Sequence, residues 1–263
     1  MKPLKIAAQL YTLRDYLQTP EALASTFKKV KNIGYDAIQV SGIGNIDLNF
    51  VKETAEKQGL TICATHIPFQ ALKDNMPEVI KKHKLWNCKY VGIGAMPQEY
   101  QANNETYTAF AKEASEYGKI LLENDLQLIY HNHNFEFKKF NGITGLEILF
   151  KESDPAAFNF EIDTYWVQAG GANPVDLIKK MKGRLSVVHL KDMVINNDNE
   201  IQMAEIGQGN LNWPAILKAC QKSGVEWCPV EQDICPGDPF ASLQISKTYL
   251  DSLGQLGDGS LLF

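Results

Sequence analysis

Two of the five histidines in this 263-residue chain stand on alternate positions, in the stretch YHNHNFEF at residues 130–137. Side chains alternate between the two faces of a β-strand, so His131 and His133 would share one face of an extended segment. Imidazoles placed in this way suit a metal site or a proton-transfer pair, and they also occur in polar turns that do no chemistry. Choosing among these interpretations requires the position of the segment in the fold.

Acidic, basic and imidazole side chains also finish the apolar segments that follow. Residues of one parity end AFNFEID, RLSVVHLK and VEWCPVE, namely Glu161, Asp163, His189, Lys191 and Glu231. Imidazole and carboxylate ligands on separate strands suit one divalent transition ion such as Mn, Zn or Co. A single residue of this kind is more often a hydrogen-bonded structural residue. Four such residues on neighbouring segments favour a metal site. They are Asp163, His189, Glu231 and either His131 or His133.

The elements that must position these residues alternate regularly. Strand candidates cover residues 4–11, 35–41, 60–66, 88–94, 126–132, 157–163, 184–190 and 225–231, and apolar residues recur at helical spacing between them. One unit per roughly 30 residues is typical of βαβ crossovers and a parallel sheet. Eight units predict a single (β/α)8 barrel over residues 1–263. A doubly wound open sheet is the competing architecture, but no strand candidate is followed by a phosphate-binding GxGxxG motif.

In such a barrel the C-terminal ends of the strands form the mouth of the active site. Gln9 of the first strand and His66 of the third share the inward parity, and they are predicted substrate contacts. Trp166, just beyond Asp163, is a candidate for stacking on a ring of the substrate. His83 stands in a KKHK helix face and is predicted to be a solvated surface residue.

The segment KDMVINNDNEIQMAEIGQGN follows the seventh strand and has little periodicity over about twenty residues. Loops of this length tend to be functional, so it is predicted to cover the substrate, with Gly207 and Gly209 allowing the return to the next helix.

Composition excludes several classes of protein. A net charge of −5 would repel nucleic acid, and no apolar stretch approaches the roughly 20 residues that span a bilayer. The five cysteines include no CxxC pair, which indicates reduced thiols. The expected partner is a small molecule, with no nucleic acid, no membrane and a possible homo-oligomer. The cytoplasm is the default location, or the periplasm if a signal peptide had been removed.

Several motifs together resemble a known family: AAQLYTLRD, YHNHNFEF, EIDTYWVQAGG, VVHLKD, EIGQGNLNW and VEQD. The chain resembles the sugar phosphate isomerase/epimerase family with the xylose-isomerase-like barrel over nearly its whole length. In that family a Glu, an Asp, a His and a Glu after the fifth to eighth strands hold one metal. The resemblance therefore implies Asp163, His189 and Glu231 as ligands.

The fifth-strand ligand departs from the family pattern. Many members read Glu-Asn-His where this chain reads His131-Asn132-His133. Residues two apart on a strand lie roughly 6.6 Å apart, so one ion can hardly bind both histidines. His131 is preferred as the ligand and His133 as a catalytic contact to substrate. Glu136 is the alternative ligand, and otherwise a contact to substrate.

The resemblance implies a metal-dependent isomerase or epimerase of a sugar, sugar phosphate or keto-polyol that works through a metal-stabilised enediolate. Glu231 is the expected base, and His133, Glu161 and Lys191 are further catalytic candidates. Loss of one family carboxylate makes a lyase, dehydratase or hydratase of a 3-keto sugar or inosose an alternative. A sugar-binding barrel without catalysis is a third possibility.

Overall fold

The computed structural model describes residues 3–254 and confirms the predicted barrel. Eight parallel strands close on themselves in the order β1, β8, β7, β6, β5, β4, β3, β2. Their bounds are Lys5–Gln9 (β1), Ala37–Val40 (β2), Thr61–Ile67 (β3), Tyr90–Ile93 (β4), Gln127–His131 (β5), Phe158–Asp163 (β6), Leu185–His189 (β7) and Trp227–Val230 (β8).

Ten α-helices of the described chain surround the sheet. They are Pro20–Ile33 (α1), Leu48–Gln58 (α2), Phe69–Asp74 (α3), Met76–Leu85 (α4), Asn104–Leu122 (α5), Gly145–Glu152 (α6), Thr164–Ala169 (α7), Pro174–Lys180 (α8), Trp213–Ser223 (α9) and Pro239–Gly254 (α10). Between residues 3 and 254, no helix combines the length and apolar character needed to cross a bilayer.

Local chemistry sets the ends of these elements. The Thr19 side chain accepts a hydrogen bond from Ala22 N and Pro20 opens the helix, so α1 starts with a capped first turn. Gly34 and Gly224 end α1 and α9 in the left-handed conformation, which glycine adopts without a steric cost. Each chain reversal then leads directly into the next barrel strand.

Two layers of apolar side chains hold the barrel. The larger layer lies between sheet and helices and includes Phe27, Phe110 and Phe158. The smaller lies inside the barrel and consists of mostly small residues: Ala7, Ala37, Cys63, Ala64, Tyr90, Ile129 and Val187. The inward residues that follow on the mouth side are polar and buried, among them Gln9, Gln39 and Glu161. The polar layer thus rests on a packed apolar floor.

Two local predictions were wrong in structure. The first strand ends at Gln9, because its side chain accepts a hydrogen bond from Tyr11 N and starts a 3-10 turn over Leu10–Tyr16. The segment predicted as a loop after the seventh strand is an antiparallel hairpin of Asp192–Ile195 with Ile201–Ala204.

His83 is buried, so the prediction of a solvated residue was also wrong. It is 0% exposed on the inner face of α4, one turn after the buried Val79. Its Nδ1 lies 2.7 Å from the Val79 carbonyl, and its Nε2 lies 2.7 Å from Thr65 Oγ1 on β3. Burial lowers the pKa of His83 to about 4. The lysines around it occupy the outer faces of the same helix.

Candidate metal centre

Four side chains from consecutive strands meet at the mouth of the barrel. One ligand atom from each of His131, Asp163, His189 and Glu231 lies within 4.8 Å of the other three, and all four residues are buried. Asp163 Oδ2 lies 3.3 Å from His131 Nε2, and His189 Nδ1 lies 3.0 Å from Glu231 Oε2. Ligand atoms about 2 Å from a shared ion have similar separations, so the spacing suits one metal ion.

The hydrogen bonds of His131 direct a lone pair into this group. Its Nδ1 lies 3.1 Å from the Gly94 carbonyl, which only accepts, so Nδ1 carries the hydrogen. Burial lowers the pKa of His131, which keeps the imidazole neutral and leaves Nε2 without a hydrogen. Two acceptors, His131 Nε2 and the Asp163 carboxylate, then face each other. A cation between them satisfies both, so the residues fit a divalent transition ion.

At the end of β5, Asn132 connects two strands, whereas His131 and His133 on either side of it face the mouth. Asn132 Oδ1 accepts a hydrogen bond of 3.0 Å from Asp163 N and so joins the end of β5 to the end of β6. Asp163 Oδ1 accepts from Trp166 N and caps α7, which leaves Oδ2 for the metal centre. His131 and His133 project toward the mouth, and their ring centroids are 4.8 Å apart.

Lys191 is a buried cation beside the same carboxylates. Its Nζ lies 3.0 Å from Asp163 Oδ2, 2.8 Å from Glu231 Oε2 and 3.0 Å from Asp233 Oδ2. Burial opposes its charge, but these three carboxylates raise the pKa of Lys191 above its ordinary value. Asp233 was not assigned from the sequence, although it has the same parity as Glu231. Asp192, which follows Lys191 in sequence, does not pair with it and accepts hydrogen bonds from Gly207 N and Trp213 Nε1 instead.

A second buried group lies next to the first and shares His189. Glu161 Oε1 accepts from Gln39 Nε2 at 2.9 Å and lies 3.1 Å from His189 Nε2, while Oε2 contacts His66 Nε2 at 2.5 Å. Burial alone would raise the pKa of Glu161, but His189 and His66 lower it below its usual range. Gln39 was missed by sequence analysis. The signal that could have found it is that Gln39 is the single polar residue in the buried strand β2.

A cavity of about 870 Å³ opens above these residues. Its inner end is polar and is lined by His66, His131, His133, Lys191, Glu231 and Asp233. The rest of its lining is largely apolar and comes from the segments after β3, β4 and β8, including Phe69, Met96 and Ile234. The Nδ1 atom of His133 is buried and has no hydrogen-bond partner, which leaves it available to a ligand.

Several predicted substrate contacts lie outside this cavity. Glu136 lies behind β5, where it accepts hydrogen bonds from the Tyr130 hydroxyl at 2.5 Å and from His133 N at 2.8 Å. Burial raises the pKa of Glu136 to about 7. This position is too deep for Glu136 to act as a metal ligand or a substrate contact in the arrangement observed.

Trp166, Gln9 and Glu161 also do not line the cavity. Trp166 packs behind His133, with ring centroids 5.4 Å apart, so stacking on a sugar does not match its position. Gln9 is 0% exposed, and its Nε2 has no partner. Glu161 is equally buried beneath His66 and His189, which places it beside the site but not in contact with a substrate.

The hairpin after β7 does not cover the cavity as predicted, since none of residues 192–210 lines it. Asp192 holds the returning segment through hydrogen bonds from Gly207 N, Gly209 N and Leu211 N. Gly207 has a φ of 85°, and a Cβ there would collide with the Tyr249 ring. Both predicted glycines are therefore required for the return to α9.

Comparison with known proteins gives one family match. A family model described as xylose isomerase-like TIM barrel matches residues 27–241. An inosose dehydratase of Mesomycoplasma hyopneumoniae (strain 7448) is 24% identical over 171 residues, which cover 57% of this chain and 55% of that protein. The chain thus spans about half the length of the curated relatives it matches.

Solved structures share the fold over nearly the whole chain. A sugar phosphate isomerase/epimerase from Parabacteroides distasonis ATCC 8503 has a TM-score of 0.79 and 21% identity, covering 96% of this chain and 95% of its own. The IolI protein with a bound zinc atom has a TM-score of 0.67 and 14% identity, covering 94% of this chain and 97% of its own. At these identities the likeness concerns the fold.

Proposed function

The chain belongs to the xylose isomerase-like TIM barrel family, and on this premise we propose that it is a divalent-metal-dependent isomerase or epimerase of a sugar or keto-polyol. The observation that carries the proposal is the meeting of His131, Asp163, His189 and Glu231 at the inner end of a cavity. The similarity to a sugar phosphate isomerase/epimerase and to an inosose dehydratase supports a carbohydrate substrate.

The same four residues would hold the ion, which is Mn, Zn or Co in this proposal. When bound, the ion supplies Lewis-acid polarisation of a carbonyl, which contributes several kcal/mol to charge stabilisation. The zinc bound by the structurally similar IolI protein supports a divalent metal in this chain. Replacing the family carboxylate by the neutral His131 makes the site one charge unit more positive, which favours an anionic substrate group.

Side chains that line the cavity are the proposed base and the proposed hydrogen-bond contacts to the substrate. Glu231, one of the four proposed ligands, is also the proposed base for the carbon-bound proton next to the carbonyl, because it lines the cavity. Lys191 Nζ can donate a hydrogen bond to a substrate oxygen from the same wall. His66 and the unpartnered Nδ1 of His133 are proposed contacts to hydroxyl groups.

The experiment supplies the protein with Mn, Zn or Co in deuterated water and follows a panel of keto-sugars by NMR. An isomerase or epimerase is expected to introduce solvent deuterium next to the carbonyl and to move the carbonyl or invert a centre without loss of water. The control is His133→Ala, which should retain the metal and lose turnover. Folded, metal-bound protein that exchanges no deuterium on any keto-sugar would favour a non-catalytic sugar-binding barrel.

A second candidate is a dehydratase or lyase of a 3-keto sugar or inosose. It is favoured by His131 in place of a carboxylate, since loss of a second carboxylate base disfavours two-base epimerisation. The 24% identity to an inosose dehydratase points in the same direction. A conjugated carbonyl product absorbs in the ultraviolet, so a rise in absorbance with deuterated product lacking one hydroxyl would identify this reaction.

A further inference from the structure

His189 stands between two groups of side chains that could each hold a metal ion. One is formed by His131, Asp163, His189 and Glu231, and the other by His66, Glu161 and His189. Its Nδ1 faces the first group, 3.0 Å from Glu231 Oε2, and its Nε2 faces the second, 3.1 Å from Glu161 Oε1. A neutral imidazole has one lone pair, so His189 can bind a metal in only one of the two groups.

The side-chain amide of Gln39 selects the nitrogen. Gln39 Nε2 lies 2.9 Å from Glu161 Oε1, and its Oε1 lies 2.8 Å from His189 Nε2. A carboxylate only accepts hydrogen bonds, so the amide must turn its NH₂ toward Glu161 and its oxygen toward the imidazole. The amide oxygen also only accepts. His189 Nε2 must therefore carry a hydrogen, and Nδ1 is left for the metal.

Glu161 reinforces this choice from a position that the cavity does not reach. Its Oε1 is a second acceptor for the hydrogen on His189 Nε2, and its Oε2 contacts His66. Gln39, Glu161 and His189 are each 0% exposed, so bulk solvent does not reach these bonds. The three residues come from β2, β6 and β7, and only closure of the barrel brings them together.

We propose that Gln39 and Glu161 are positioning residues that make His189 an Nδ1 ligand and exclude the metal from the His66 side. Glu161 is then a hydrogen-bond acceptor that orients ligands and not the catalytic group predicted from its parity. Partners of this kind fix the orientation of a ligating imidazole, and their loss typically weakens metal binding about 10-fold to 100-fold. The inference rests on the proposed function only in requiring that His189 binds the metal.

The test uses zinc-loaded protein labelled with ¹⁵N-histidine, in which five histidines give few signals. We expect the His189 signals of a metal-bound Nδ1 and a protonated Nε2. Gln39→Leu should weaken zinc binding at least about tenfold in a competition titration with a chelator. Asn159→Leu is the matched control, because Asn159 is a buried amide on the same face of β6 and should leave zinc affinity unchanged.

Two results would overturn the proposal: zinc on Nε2 of His189, or a Gln39→Leu protein that binds zinc with the wild-type affinity. If Gln39→Leu does not fold, Glu161→Gln takes its place, since it keeps the shape and removes the charge that orients Gln39. The readout is independent of turnover. A protein that holds zinc on Nδ1 yet converts no sugar would refute the proposed function and support this inference.

Discussion

His83 and His189 are both 0% exposed, yet their surroundings give them opposite proton affinities. His83 lies between α4 and β3 with a carbonyl and a hydroxyl as partners, and burial lowers its pKa to about 4. Burial also acts to lower the pKa of His189, but Glu161 and Glu231 outweigh this effect and raise the pKa to about 10. Burial by itself therefore does not identify a chemically active histidine, and the charges around the ring do.

The same substitution at both positions gives the largest expected contrast. His189→Gln should remove the metal and lower turnover about a thousandfold, because several kcal/mol of Lewis-acid stabilisation corresponds to that ratio. His83→Gln should keep full metal content and turnover. The measurements are metal analysis after dialysis and steady-state kinetics. Metal retained by His189→Gln at the wild-type stoichiometry would remove His189 from the ligand set.

Lys191 provides the next test, because it neutralises the carboxylates around His189. Lys191→Met should destabilise the metal-free protein by about 3–5 kcal/mol, since it leaves buried carboxylates without their cation. A divalent ion should restore part of that stability and should bind more tightly than in the wild type. Denaturant unfolding with and without metal gives both quantities. The comparison variant is Lys73→Met at the surface pair with Glu113, for which a much smaller loss is expected because solvent screens exposed ion pairs.

The pH dependence of stability isolates His83. Its folded-state pKa of about 4 lies below the ordinary value of 6.5, so the unfolded chain takes up a proton first as the pH falls. The contribution of His83 to stability is complete above pH 6.5 and decreases as the pH falls toward 4, by about 2 kcal/mol at pH 5. Between pH 7 and pH 5, measured by denaturant unfolding, the wild type should lose more stability than His83→Gln by about this amount. Parallel profiles would mean that His83 titrates normally.

The smallest effect is expected at the hairpin after β7. Ile195 and Ile201 are cross-strand partners there and are 50% and 52% exposed. Changing both to Thr should alter stability by less than about 0.5 kcal/mol and leave KM unchanged, because the hairpin does not line the cavity. A marked rise in KM for sugar substrates would indicate that this segment contacts the bound substrate, as the sequence predicted.

Sequence patterns were enough to predict the barrel and the meeting of four side chains. Alternation of apolar runs and helical patterns determines a parallel sheet, and parity within each run determines which residues face inward. Asp163, His189, Glu231 and one of the pair His131 and His133 follow from those two periods, because the ends of parallel strands must meet at one edge. The family resemblance then favoured His131. The choice of His131 over Glu136 also followed from its place at the end of the strand.

Tertiary structure alone decided the contacts between distant strands. Gln39 and His189 are 150 positions apart, and their hydrogen bond depends on how the closed barrel staggers β2 against β7. The burial of His83 depends on which face of α4 packs on β3, and the lysines beside it concealed that face. Glu136 is near His133 in sequence, but the turn after β5 carries it behind the sheet to Tyr130. Periodicity specifies the face on which a side chain lies, whereas its partners depend on the three-dimensional packing of segments that no local pattern relates.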